Sequence, residues 1–469
     1  MSTPITPTPT TNPSTEYDMI IVGAGVVGAA AAKAFGEDGR KVLLLERDLS
    51  EPDRIVGELM QPGGMHALRK LGMEQCTEGI DGITCTGYSV YRQGQLVELP
   101  YNKDPYTGKQ QRGIAFHHGR FIQNLRKSAA NTENVTVKEM TVLRLLTEDI
   151  GDKVIGVVAS EKEGPEQKIY APLTLVCDGI FSKFRRDFTT RQTNVISHFV
   201  GFLLHDFELP FPQKGFIAMA KPSPILMYQI APNDVRVLVD VPGELPKVSN
   251  GELKKYMEDV VCPQLPQNMQ AKFMEALQTE RLRPMPSGFL PPSINQRDGT
   301  ILLGDALNVR SPLTGGGMTV ALEDVLTVRD LLSKENIPSF TESELIIQAM
   351  DAFHWKRKRY SACINCLAMS LYSVFAAQSS DMMVMQRGCF EYLKKGGYCS
   401  EGPMNLLAGM TQNPVVLIYH FFMVAMYSIY LMVTEGGIIS LPFNLYRALT
   451  VFITSCSTIF PFLWGELKG

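Results

Sequence analysis

The order of apolar and polar positions divides the 469-residue chain into three parts. Short apolar runs broken by glycines and charges come first. The run at 19–22 meets glycines, an alanine-rich helical pattern follows at 29–35, and a second apolar run at 42–45 ends on Glu46. This predicts a strand, a tight turn, a helix and a second strand. Further strands are predicted at 135–137, 142–146, 154–160, 168–170, 173–177 and 300–303. Helices are predicted at 65–71, 117–130, from 182 to 188, and at 319–332. Residues 83–91 and 95–101, joined through Gly94, have the composition of a β-hairpin. At about 195 the pattern shifts to alternating and apolar strands at 197–207, 216–219, 225–230 and 235–241. Helical stretches follow at 251–261 and 268–277, and Pro284, Pro286, Pro291 and Pro292 read as the exit.

From 342 the pattern is helical. Residues 353–360 set Trp355 beside Lys356, Arg357, Lys358 and Arg359, either a solvated face or a patch facing anionic headgroups. Residues 415–433 run for 19 positions without Asp, Glu, Lys or Arg. At about 1.5 Å per residue that is close to the thickness of a bilayer core. A second apolar run spans 448–464, and Glu435, Gly436 and Gly437 separate the two. His420, Thr434, Ser455 and Ser457 weaken the case for full spans, so a hairpin dipping into one leaflet fits as well. Truncation before about 402 is expected to release the protein from membranes and leave nucleotide binding intact.

The pattern implies an α/β fold: a Rossmann-like nucleotide domain, an inserted β-rich substrate domain and a C-terminal helical, membrane-associated region. The expected bounds are 17–194 with 296–341 for the first, 195–295 for the second and 342–469 for the third. Strands near 83–101 are free to join the substrate domain. Residues 1–16, rich in threonine and proline, read as a disordered tail without the apolar core of a secretory signal. A hydrophobic content of 45% suits a folded protein, and a net charge of −3 gives no field for nucleic acid. Nine scattered cysteines fit a reducing compartment. Cys363 and Cys366 lack a second pair at zinc spacing and read as small core residues, and His117 and His118 lack metal partners too.

The chemistry concentrates on a few segments. Gly23, Gly25 and Gly28 have G-x-G-x-x-G spacing after a strand and before a helix, with Glu46 eighteen residues on. In that context the glycines allow a tight turn, close approach of a pyrophosphate to backbone, and helix–strand packing, while the acid binds a ribose. Arg47 and Arg54 follow the second strand and are placed to meet phosphate or ribose, and Arg120 opens a helix where an anionic ligand would compensate it. Asp178 ends a strand in Asp-Gly. Asp305 ends another, ahead of Gly315, Gly316, Gly317 and Met318. Three glycines before a helix form an anion-binding nest. A carboxylate facing it suits the hydroxyls of a ribityl chain, which favours FAD over NAD.

Taken together, GAGVVG with Glu46-Arg47, CDG at 177–179, and GD at 304–305 before PLTGGGM resemble the single-FAD-domain flavoprotein monooxygenases. RIVGELMQPGG (54–64), FHHGRF (116–121), DGIFSKFR (178–185), LLGDALNVRSPLTGGGMTV (302–320) and the apolar C-terminus resemble the squalene monooxygenase (squalene epoxidase) family, in its fungal form, over 17–464. The resemblance implies FAD with its adenosine at Glu46 and its pyrophosphate over Val26 and Val27. Arg47, Arg54 and Arg120 would support it, with Leu59 nearby and Val142 bordering the adenine. Asp305 and the nest would hold the flavin end. Tyr88, with Gln61 as its hydrogen-bond neighbour, would sit beside the flavin as a positioning pair.

The implied reaction turns squalene and O2 into (S)-2,3-epoxysqualene for ergosterol synthesis, through a flavin C4a-hydroperoxide. No second dinucleotide fingerprint is present, so a separate NADPH domain is not expected, and the resemblance implies that electrons come from NADPH–cytochrome P450 reductase. The implied location is the cytosolic face of the endoplasmic reticulum membrane, held by membrane lipid at the C-terminus, or lipid droplets. A flavin-dependent prenyl or lipid reductase and a non-catalytic Rab escort-like protein are the alternatives that share the nucleotide fold.

Overall fold

The computed structural model describes residues 16–149, 151–435 and 441–467. The tail expected at 1–16 lies, except for Glu16, outside the described residues, as do Gly436 and Gly437.

Met19–Val22 is the central strand of a five-stranded parallel sheet. Leu173–Val176 and then Thr300–Leu302 lie on one side, and Val42–Glu46 and then Val135–Glu139 on the other. The inner strands are buried on both faces. That is why they are uninterrupted apolar runs rather than alternating ones. Helices Val26–Glu37, His118–Ala130 and Gly317–Leu331 pack together against this sheet. The buried alanines from Ala29 to Ala32 let the first of them lie close.

The second layer is a seven-stranded sheet in the order Arg283–Phe289, Asn194–His205, Asp234–Pro242, Ile225–Ala231, Lys214–Ala218, Gly87–Arg92, Gln95–Pro100. Pro284 and Pro286, read from sequence as an exit, lie within its edge strand Arg283–Phe289. An edge tolerates prolines because a missing N–H costs no ladder bond there. The strand expected at 83–91 divides at Thr86. Ile83–Cys85 joins Gly113–Ala115, which also pairs with Leu59–Met60. Gly87–Arg92 runs parallel to Lys214–Ala218 in the large sheet.

Two expected helices differ from their prediction. The one expected at 65–71 begins at Pro62, a first-turn position where proline loses no hydrogen bond. The one expected from 182 is only a 3-10 turn, Arg185–Asp187. Side-chain bonds shape that loop instead: Arg185 donates to the carbonyls of Gly179, Ile180, Asp305 and Ala306.

The C-terminal part is helical: Ser343–Ala376, Ser380–Lys394, Tyr398–Leu407, Pro414–Glu435 and Leu441–Leu467. The last two are long and apolar enough to cross a membrane, with mean hydropathies of 1.9 and 1.5. They expose Val415, Met426, Tyr430, Leu445, Leu449 and Trp464. Several of their polar side chains turn onto protein partners, while His420 Nε2 and Glu466 Oε2 are buried without a hydrogen-bond partner among the described residues. His420 is buried with its Nδ1 3.0 Å from the Tyr392 hydroxyl, and Ser455 donates to Val451 O at 2.6 Å. Thr434 and Ser457 donate to Tyr430 O and Thr454 O. The other face of this pair is core: Phe421, Val424, Ala425, Val451 and Ile459 share a cluster with Tyr88 and Leu313. Gly63 N donates to Ala408 O at 2.8 Å. A truncation before 402 would therefore open this core, contrary to the expectation of a separable anchor.

Candidate active site: a cleft at the carboxyl edge of the parallel sheet

The Gly23–Gly28 turn, Glu46-Arg47, Asp178-Gly179 and Gly304-Asp305 stand at the carboxyl ends of strands in the parallel sheet, where open α/β sheets bind ligands. Gly23 N donates to Leu45 O and Cys177 N to Val22 O, which closes three strand ends around one turn. A Cβ on Gly28 would lie 1.8 Å from Gly23 O, and one on Gly23 would lie 2.7 Å from Cys177 O. The helix thus starts directly on the turn. Gly25 instead faces open space, as a backbone approached by a ligand must. Val26 and Val27 form the first helical turn.

Glu46 closes its strand with its carboxylate turned back onto backbone. Oε2 accepts from Ala24 N at 2.7 Å and Oε1 from Arg47 N at 3.1 Å. Met140 N donates to Glu46 O, which brings Val142 and its strand Thr141–Thr147 alongside. Arg47 and Arg54 are exposed. Arg54 is near enough for its charge to act on Asp305, His118 and Arg126. Arg120 is directed elsewhere, to Asp81 at 2.8 Å. Arg126, six residues further along the same helix, is the arginine that enters the cleft. Its Nε donates to Ala24 O at 3.0 Å, NH1 donates to Ser50 O, and NH2 is 3.7 Å from Glu46. Sequence reading passed over it; its helical spacing among Ile122, Leu125 and Ala129, all on the buried face, was the available signal.

Asp178 and Asp305 follow the carboxyl ends of two neighbouring strands, Leu173–Val176 and Thr300–Leu302. Asp178 Oδ2 accepts from Lys183 N, while its Oδ1 is buried with no hydrogen-bond partner. Arg185 joins the two acidic loops through Gly179 O and Asp305 O. Asp305 is open to the cleft yet deeply set. Desolvation raises its pKa, and the charges of Arg310, Arg54 and Arg185 oppose the rise. Gly304 (φ +64°) lies against Val27: a Cβ there would be 2.7 Å from Val27 Cγ2. The two glycine motifs, far apart in sequence, are thereby in contact.

At the other end, Gly315 adopts φ +61° before helix Gly317–Leu331, with Met318 buried in its first turn. Gln61, fully buried, is pinned from three sides. Its Nε2 donates to Tyr88 Oη (2.5 Å) and to Thr314 O (2.7 Å), and its Oε1 accepts from Tyr101 Oη (2.5 Å). Burial drives the Tyr88 and Tyr101 phenols far above the ordinary tyrosine value. They stay neutral donors and acceptors, not bases. Leu59 packs in the same cluster. Beyond Tyr88 lies an apolar cavity lined by Leu313, Leu371, Phe375, Leu407, Phe421 and Val424, without a charged group on its wall. Among the described residues no cluster of His, Cys, Asp and Glu could hold a metal.

These features fit FAD. A G-x-G-x-x-G turn, the Glu46 carboxylate, an orphaned buried acceptor at Asp178, the Asp305 carboxylate and the Gly315–Gly317 turn before a helix are the groups such a cofactor needs.

Solved structures with this fold include PqsL of Pseudomonas aeruginosa, a probable FAD-dependent monooxygenase, at TM-score 0.62 and 19% identity over 77% of this chain and 97% of that one. They also include the flavin-dependent brominase Bmp2, at TM-score 0.68 and 14% identity over 88% and 98%. Squalene epoxidase erg1 of Schizosaccharomyces pombe is 43% identical over 97% of this chain and 99% of its own length. Squalene monooxygenase of Mus musculus is 45% identical over 97% and 78%. The squalene epoxidase family model matches residues 170–446, and with these relatives it shows that the chain belongs to the squalene epoxidase family.

Proposed function

We propose that the chain binds FAD in this cleft and converts squalene and O2 to 2,3-epoxysqualene in sterol synthesis, with electrons from a separate NADPH-dependent reductase. The observation that carries the reading is the continuity of the two sites. Tyr88 belongs both to the Gln61 network beside the nest and to the wall of the apolar cavity. FAD, when bound, supplies the activation of dioxygen and the transfer of one oxygen atom to an alkene.

The residues do the rest. Gly23–Gly28, Glu46, Arg126 and Arg54 hold the adenosine and pyrophosphate. Asp178, Asp305 and the N–H groups of Gly316–Met318 hold the ribityl chain and the ring edge. Gln61 fixes the Tyr88 ring, which sets where the flavin ends and the cavity begins. A hydrocarbon substrate offers no hydrogen bond, so the cavity must orient it by shape and keep water out. The helices that line the cavity through Phe421 and Val424 also expose apolar faces, which supports substrate entry from a membrane; this reading takes that membrane to be the endoplasmic reticulum, met from its cytosolic side. The test is direct. Purified full-length protein with FAD, NADPH, reductase and squalene in detergent is expected to yield 2,3-epoxysqualene with matching oxygen uptake. No product under those conditions overturns the reading, and reduction of the lipid without oxygen uptake would assign a reductase instead.

A further inference from the structure

A buried polar network joins the end of the last apolar helix to the glycine nest. Glu466, near the end of Leu441–Leu467, is only 4% exposed. Its Oε1 accepts from Asn365 Nδ2 at 2.7 Å. Asn365 Oδ1 accepts from Arg310 Nε at 2.6 Å, and Arg310 NH1 donates to Gly317 O at 3.3 Å. Asn308 Oδ1 completes the ring, accepting from Arg310 (2.5 Å) and Asn365 (3.0 Å). Three carboxylates lie close enough to act on Arg310: Asp305, Asp324 and Glu466. Asp324 is already committed to a bidentate pair with Arg357 and to the Tyr360 hydroxyl. Asp305 faces the cleft. Asp305 acts most strongly on Arg310; Glu466 reaches it through Asn365 and shares its charge with Arg357 and Lys358, and its second oxygen has no hydrogen-bond partner among the described residues. A charge held in the interior in this way is costly unless an opposite charge is near.

We infer that Glu466 is a positioning residue for the flavin end of the cleft: the last apolar helix latches Arg310 behind the Gly315–Met318 nest, so the membrane segment and the cofactor site form one unit. The inference rests on the reading that FAD occupies the cleft. Arg310 stands behind a helix N-terminus whose free N–H groups already favour negative charge. Glu466 therefore sets how much of the Arg310 charge the nest feels, and the Asn365 bridge sets where the guanidinium lies.

The experiment uses full-length protein in detergent, titrated with FAD, in the variants Glu466→Gln, Glu466→Ala, Glu466→Asp and Leu449→Ala. Leu449 lies on the exposed face of the same helix at 58% exposure. Glu466→Gln keeps the acceptor for Asn365 and removes the charge. The flavin midpoint potential is expected to rise, because Arg310 is then less compensated and favours the reduced, more negative flavin. Glu466→Ala also frees the bridge and is expected to weaken FAD binding by about tenfold or more. Glu466→Asp should lie nearer the wild type, and Leu449→Ala should match it. An unchanged potential in Glu466→Gln together with unchanged affinity in Glu466→Ala overturns the latch. If Glu466→Ala does not fold, Glu466→Gln alone decides. A wild-type chain that binds no FAD defeats the cofactor reading and the latch with it, an outcome distinct from any difference among variants.

Discussion

The loop that carries Leu59 and Gln61 is held to the large sheet by an ion pair that can be broken and measured. Glu58 is 1% exposed and Arg236, on strand Asp234–Pro242, is 5% exposed. Arg236 Nε donates to Glu58 Oε2 at 2.7 Å and NH2 donates to Oε1 at 2.9 Å. Glu58 O also accepts from Phe116 N at 2.8 Å, so the loop is fixed at both backbone and side chain. The carboxylate keeps the guanidinium charged and raises its pKa against desolvation. Removing one partner of a buried, hydrogen-bonded pair costs about 3–5 kcal/mol, since the other charge stays behind without water. Glu58→Leu and Arg236→Met should each lower the unfolding free energy by that amount, roughly two to four powers of ten in the equilibrium constant. For a protein whose total stability is about 5–15 kcal/mol this is a large fraction. Glu58→Leu with Arg236→Met removes both charges and should recover most of the loss, because an apolar pair of similar volume is often neutral or better. The assay is equilibrium urea unfolding of the four proteins, followed by far-UV circular dichroism and tryptophan fluorescence and read as a double-mutant cycle. Single variants costing under about 1 kcal/mol, or a double variant equal to their sum, would refute the argument.

Three other outcomes follow from the same geometry. Gly28→Ala places a Cβ 1.8 Å from Gly23 O, so the helix must withdraw from the turn; the cost is about 1–3 kcal/mol, and flavin absorbance should no longer co-elute with the protein in gel filtration. Gln61→Leu strands the Tyr88 and Tyr101 hydroxyls and Thr314 O together, whereas Tyr88→Phe leaves Gln61 bonded to the other two; the first should cost about 2–3 kcal/mol and the second about 1, measured by urea midpoint, with epoxidation falling further in the first. His118, in contact with Gly57 O, has its pKa lowered to about 4, first by desolvation and then by Arg54 and Arg126. The unfolded chain therefore takes up this proton first, so the His118 contribution is complete above pH 6.5 and is lost as pH falls towards 4, by up to about 3 kcal/mol. His118→Gln should flatten that part of the urea-midpoint profile between pH 7 and pH 4, and an unchanged slope would count against it.

The dinucleotide half of the cleft was legible because its information is local. Three glycines, a helix and an acid within one βαβ unit dictate the turn at Gly23–Gly28 without help from the rest of the chain. The Asp305 loop and the nest at Gly315–Gly317 were legible for the same reason. Their contact with the first motif, Gly304 on Val27, was not, since no periodicity reports which strand ends become neighbours. The arginines show the limit well. Arg120 and Arg126 share a helix and differ by about 120° in direction at roughly 100° per residue. Only the fold decides that one meets Asp81 and the other reaches Ala24 and Glu46. Arg185 and Glu58 were missed for a related reason: their partners lie 120 and 178 residues away.

The C-terminal region shows why reading polarity as exposure fails. Arg357 sits in a run of four cations that sequence alone reads as a surface, yet it is 1% exposed and paired with Asp324 on the helix that opens at the nest. His420 and Ser455 weakened the case for full spans in the sequence, yet both are buried, at Tyr392 and Val451 O, and leave the outer face apolar. Glu466 would be the least suitable residue to end an apolar helix if that helix met only lipid. Its place beside Asn365 removes the contradiction. These polar residues are what an apolar segment needs in order to pack against a flavoprotein core on one side while facing lipid on the other. A helix pair that only anchored would need none of them. The arrangement makes sense for a substrate that dissolves in the bilayer and reacts in a dry cavity. Under the proposed function the same helices reach the lipid phase and line the cavity through Phe421 and Val424, and in the latch inferred above the last of them braces the nest.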